Sequence, residues 1–166
     1  MRVYKRAMQL VFDNVMRLSI ACFLIMMFCG GAQVLSRYVF NMSLDWTEEV
    51  ARFMFIASAL FGSALCVRTM GHISVDLVVM RLSAGAQRVC AILVLAANAV
   101  MFTVLVVYGI EISLTTMEQL APATEVSMGL VYATVPVSGL LMLLFLTEQA
   151  FDLLCPKADA SSGVQR

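Results

Sequence analysis

Residues 89–110 read VCAILVLAANAVMFTVLVVYGI, twenty-two positions without a charge, bounded by Arg88 and Glu111. At about 1.5 Å per helical residue the run covers roughly 33 Å, enough to cross a bilayer core of about 30 Å. Working outward from it, residues 126–147 form a second charge-free run of 22 between Glu125 and Glu148, and residues 18–36 one of 19 between Arg17 and Arg37. Residues 53–67 give only 15, between Arg52 and Arg68. Starting that run at Val50 gives 18, provided Arg52 sits one turn inside and snorkels its guanidinium to the interface. The expected fold is therefore all-α and integral to a membrane. A single domain over residues 1–155 holds four transmembrane helices at about 15–36, 48–68, 88–111 and 126–148, with a disordered tail at 156–166.

Composition agrees. The 166 residues are 61% hydrophobic and 13% charged, with a mean hydropathy of +0.91, whereas soluble domains are about 25% charged. A soluble enzyme and a disordered chain are both excluded. Eleven basic and eleven acidic residues cancel, so the clustered basic excess that nucleic acid requires is missing.

The Lys/Arg distribution sets the orientation. Placing both termini in the cytoplasm puts nine basic residues inside and two, Arg37 and Arg52, outside. The third loop then faces outward with Glu111, Glu118 and Glu125. The first run is too long for a signal-peptide core of about 7–15 residues and ends in Val34-Leu35-Ser36-Arg37, so it reads as a retained helix. Ahead of it, Tyr4, Met8, Val11, Phe12 and Val15 recur at helical spacing, an amphipathic lead-in for the cytoplasmic surface. Residues 74–83 are a second short amphipathic segment, too short to span.

Several chemistries are missing. Cys22 and Cys29 stand about 10.5 Å apart along one helix, too far to bridge, and no Cys-x-x-Cys occurs; the five cysteines read as small apolar packers. His72 is the only histidine, so this chain alone cannot hold a haem between two imidazoles. No span carries a charge near its midpoint; Gln33 and Asn98 are its notable polar residues, suited to interhelical hydrogen bonds. Ser58 and Gly62 form a small-xxx-small pair that lets another helix approach the second span, from this chain or from a partner.

Two charged edges are the informative sites. On the outer side, Arg37-Tyr38-Val39-Phe40-Asn41 leads to Asp45-Trp46-Thr47-Glu48-Glu49-Val50-Ala51-Arg52. Asp45 with Glu48 has capping-box spacing, Glu48 and Glu49 suit the positive end of the helix dipole, and Glu48 pairs with Arg52 at i, i+4. Tyr38 and Trp46 suit an aromatic belt among membrane lipids. The stretch reads equally as a well-made helix entrance and as a partner contact. On the inner side, Arg68 closes the second helix, Gly71 terminates it, and Ser74 and Asp76 start the next segment. His72 either meets headgroups or clasps Asp76.

The ordered set Arg37-Tyr-x-Phe-Asn, Trp46-x-Glu48-Glu49-x-x-Arg52, a Gly62-containing helix, Arg68-x-x-x-His72-Ile-x-Val-Asp76, and Tyr132 with Pro136 and Gly139 resembles the small (Q, DctQ-like) membrane subunit of tripartite ATP-independent periplasmic (TRAP) transporters. The resemblance covers about residues 10–150. It implies a fixed scaffold in the bacterial inner membrane, paired with a large (M, DctM-like) elevator subunit that holds the substrate and sodium sites. It also implies a periplasmic substrate-binding protein that delivers an organic acid, often a carboxylate or sialic acid, by sodium-coupled symport. On that model this chain is no enzyme and holds no cofactor or metal. Arg37, Trp46, Glu48, Glu49 and Arg52 brace the outer end, Arg68, His72 and Asp76 brace the inner turn, and Arg37 with Glu111, Glu118 and Glu125 are candidates to dock the binding protein. The alternative is a stand-alone homo-oligomeric transporter or channel, using Asn98 or Gln33.

Overall fold

The computed structural model describes residues 2–42, 44–70 and 84–154. The helices are α1 (Arg2–Val39), α2 (Asp45–Met70), α3 (Ala84–Thr115), α4 (Met128–Tyr132) and α5 (Thr134–Leu154). Among the described residues, α1, α2, α3 and the α4–α5 pair are the four stretches long and apolar enough to cross a membrane. α1, α2 and α3 each enclose one charge-free run and extend past it, because the charged residues that bound those runs are themselves helical; the fourth run begins at Val126, two residues before its helix starts. The segment at 74–83, His72, Asp76 and the tail at 156–166 lie outside the described residues.

Residues 2–17 contain neither Gly nor Pro, so nothing interrupts the helix ahead of the first span. The amphipathic lead-in is therefore not a separate segment but the first turns of the 38-residue α1. The buried residues of α1 are Met8, Val15, Cys22, Cys29 and Ser36, one every seven positions. A seven-residue period keeps one seam facing a neighbour along the whole length, as in coiled-coil packing. Cys22 and Cys29 are thus core residues with free thiols.

The helices pack as a row in which α1 lies on α2, α2 on α5, and α5 on α3. Cross-helix hydrogen bonds fix the α1–α2 register: Arg68 Nη1 donates to Gln9 Oε1 at 3.2 Å, Ser19 Oγ to the Ser58 carbonyl at 3.2 Å, and Gln33 Nε2 to Glu48 Oε2 at 3.1 Å. Gln33 therefore makes the interhelical bond its position in the span suggested. The Ser58/Gly62 pair is used within the chain, since Ser19 covers both.

α5 occupies the interior of the row and buries Ser138, Met142, Phe145 and Leu146. With Met8, Ala64 and Phe102, the last three join α1, α2 and α3 in one cluster. Pro136 lacks the N–H that would bond the carbonyl four residues back, and its ring crowds that carbonyl. The helix accordingly breaks at Ala133, three residues upstream, and splits the fourth span into α4 and α5. Gly109 of α3 faces the proline: a Cβ there would stand 2.9 Å from Pro136 Cδ, so only glycine permits the approach.

Candidate interaction site

The inner edge is built around Arg68 in the last turn of α2. Its Nε and Nη2 donate to the two Glu148 carboxylate oxygens of α5 at 2.8 and 3.2 Å, a bidentate pair whose side chains are 17% and 15% exposed. The guanidinium carbon lies 4.9 Å from the Phe12 ring centre and 5.8 Å from that of Phe145, so the cation has two aromatic neighbours. Those two rings meet edge-on with centroids 6.2 Å apart. Gln9 extends the network, accepting from Arg68 and donating Nε2 to Asp13 at 3.1 Å. Gln149 of α5 donates to the Val67 carbonyl at the end of α2. One arginine thus pins α1, α2 and α5 together at this end.

The outer edge is built from loops held by side chains. Ser36 Oγ donates to the Met42 carbonyl at 2.8 Å, and the Ser36 carbonyl accepts from the Phe40 and Met42 amides. Asn41 turns the chain with φ at +50°, a left-handed conformation that asparagine tolerates better than most residues. α2 begins at Asp45 itself, with Asp45 and Glu48 in its first turn. The capping-box spacing is used differently from its usual bond: Glu48 gives its carboxylate to Arg52 at 3.0 Å and to Gln33. The i, i+4 pair read from the sequence is present, with side chains 63% and 54% exposed.

Glu49 faces the other way and holds the third loop. Its Oε1 accepts the Ala123 amide at 3.0 Å; its Oε2 accepts the Thr124 amide and the Thr124 hydroxyl, both at 2.9 Å. The loop is further closed by Ala121 N to the Val126 carbonyl and Met128 N to the Gln119 carbonyl, at 2.9 and 2.8 Å. Glu111, Glu118 and Glu125 are all exposed around this held loop, as are Arg37, Tyr38 and Trp46 on the α1–α2 turn.

Among the described residues the interior holds few polar side chains. Its buried polar side chains are Ser36, Thr47, Ser113 and Ser138, and each hydroxyl donates to a backbone carbonyl at 2.6–2.8 Å. Sequence reasoning placed Arg68 at a structural edge but missed its partner Glu148, as well as Gln9 and Thr124. One signal was available: Arg68 and Glu148 end two runs on the same predicted side with opposite charges. Thr124 carried none, since nothing local connects it to a residue 75 positions earlier.

The family model for tripartite ATP-independent periplasmic transporters, DctQ component, matches residues 24–155. The chain belongs to the DctQ family. It is an integral membrane protein of a transporter family, not an enzyme. Among its relatives, the C4-dicarboxylate TRAP transporter small permease protein DctQ of Rhodobacter capsulatus is 30% identical over 113 residues, 67% of this chain and 50% of the relative. The sialic acid TRAP transporter permease protein SiaT of Haemophilus influenzae (strain 86-028NP) is 40% identical over 45 residues, 27% of this chain and 7% of the relative. This DctQ chain thus spans half or less of the length of each. The matched region carries Asn41 in its left-handed turn, the Glu48–Arg52 and Glu49–Thr124 contacts, the Arg68–Glu148 pair and Pro136 against Gly109.

Proposed function

We propose that this DctQ chain is the fixed scaffold subunit of a sodium-coupled importer of an organic acid in the bacterial inner membrane, with both termini in the cytoplasm. It pairs there with a large elevator-type membrane subunit, which holds the substrate and sodium sites, and receives a loaded periplasmic binding protein at its outer face. The observation that carries the reading is the closed interior. Every buried hydroxyl in the described bundle donates to a backbone carbonyl, as suits a packed structural element. Family membership supplies the class of machine, and the two braced edges suit a static strut. Glu111, Glu118 and Glu125 stand exposed around the held third loop and Arg37 at the α1–α2 turn, on the end where a soluble partner would approach.

The test is reconstitution in vesicles with an inward sodium gradient. Uptake is expected when this chain, the large subunit and the loaded binding protein are all present, and not with this chain alone. Sodium-dependent uptake by this chain alone would instead support a stand-alone transporter. Charge reversal at Glu118 and Glu125 is expected to lower uptake at limiting binding protein and to leave it intact at saturation. Unchanged uptake at limiting binding protein would remove those residues from the docking role.

A further inference from the structure

α1 presents two seams. The buried one, at Met8, Val15, Cys22, Cys29 and Ser36, is filled by this chain. The opposite one is exposed and carries Leu10, Arg17, Leu24 and Gly31, also seven apart, with Phe28 and Leu35 within about 20° of Arg17 around the helix. Phe28 is 77% exposed.

Arg17 is the unexpected member. The Gln9 bond sets that residue level with the Arg68–Glu148 pair, and Arg17 lies eight residues further along α1, about 12 Å toward the middle of the bundle. Ser19, bonded to Ser58, gives the same depth when counted back from Arg68 along α2. The arginine that marks the first charge-free run in the sequence therefore sits well inside the plane that closes the second and fourth. Among the described residues no hydrogen bond or ion pair reaches it. Asp13, one turn earlier, gives its Oδ1 to Gln9 instead. At that depth a cation gains from a facing anion, and none of the described residues supplies one.

The same side of α1 carries a glycine, Gly31, that its own fold does not require. A Cβ at Gly31 would meet nothing within 4 Å, whereas one at Gly109 or Gly139 would collide with the facing helix. Mid-helix glycine is unfavourable unless something uses the missing side chain, and close approach of a second helix is such a use. The exposed face of α3 differs: Leu93, Val100, Val104 and Val107 offer lipid an apolar surface without a charge.

We propose that the outward seam of α1 seats a transmembrane helix of the large membrane subunit, which lies over Gly31 and places a carboxylate opposite Arg17. The inference rests on the pairing proposed above and names its face and its chemistry. The full-length tagged chain, co-expressed with the large subunit and purified in mild detergent, tests it through the ratio of the two subunits. Arg17→Glu is expected to lower the co-purified large subunit roughly tenfold or more, and Arg17→Leu and Gly31→Leu several-fold, while Arg17→Lys and the α3 control Val104→Trp stay near wild type. The helical content and thermal midpoint of each isolated variant chain separate lost docking from lost folding. Equal capture by wild type, Arg17→Glu and Gly31→Leu overturns the inference alone. Full capture by Arg17→Glu accompanied by loss of a co-purifying anionic lipid overturns it in favour of a headgroup site. Failure of the wild-type chain to capture the large subunit overturns both this inference and the pairing beneath it.

Discussion

The two ends of this bundle are held by the same kinds of groups in different ways. At one end Arg68 and Glu148 are largely out of solvent, bonded through both guanidinium edges with two phenyl rings beside the cation, and they join helices 80 residues apart in sequence. At the other end Glu48 and Arg52 are more than half exposed and lie on one helix, while Glu49 restrains a loop. Burial decides the difference. A desolvated pair is costly to break because the surviving charge has no water to turn to, whereas an exposed pair is nearly replaced by solvent. The first end holds helices in place; the second shapes a surface and leaves its charges available.

The largest effect expected from this contrast is at Glu148. Glu148→Ala strands Arg68 and should cost about 3 kcal/mol, read as a lowered unfolding midpoint in detergent. Replacing both partners, Arg68→Met with Glu148→Leu, should recover most of that loss. Single variants no worse than those of the exposed pair would erase the contrast between the ends.

Next comes the packed middle. Gly109→Leu forces a side chain against Pro136 and should cost on the order of 1–3 kcal/mol, which places the α3–α5 seam below the buried ion pair in importance. Amide exchange at the outer end gives a finer measure. Glu49→Ala removes three hydrogen bonds from Ala123 and Thr124, so exchange over residues 119–128 should quicken several-fold while the global midpoint hardly moves. A large midpoint shift instead would make the outer end as structural as the inner one. Arg52→Ala should be the smallest, about 0.5 kcal/mol or less.

Much of this was legible in the sequence because it is local. Charge-free runs give the spans, and i, i+4 spacing gives Glu48–Arg52. The lead-in was legible as an amphipathic stripe, but its burial was not. Whether Met8 meets lipid or protein depends on where Phe102, Met142 and Phe145 arrive from other helices. Glu49 shows the same limit: its place at a helix start was readable, and its grip on Thr124 was not.

By itself the sequence determined a membrane protein of four spans with long charge-free runs between charged residues, since hydrophobic length and charge spacing are one-dimensional quantities. Only the tertiary structure decided which opposite charges meet, which seam of α1 is filled and which is open, and that Arg17 lies deeper than Arg68 and Glu148. Those facts depend on helix register and rotation, which are set by contacts between residues far apart in the chain.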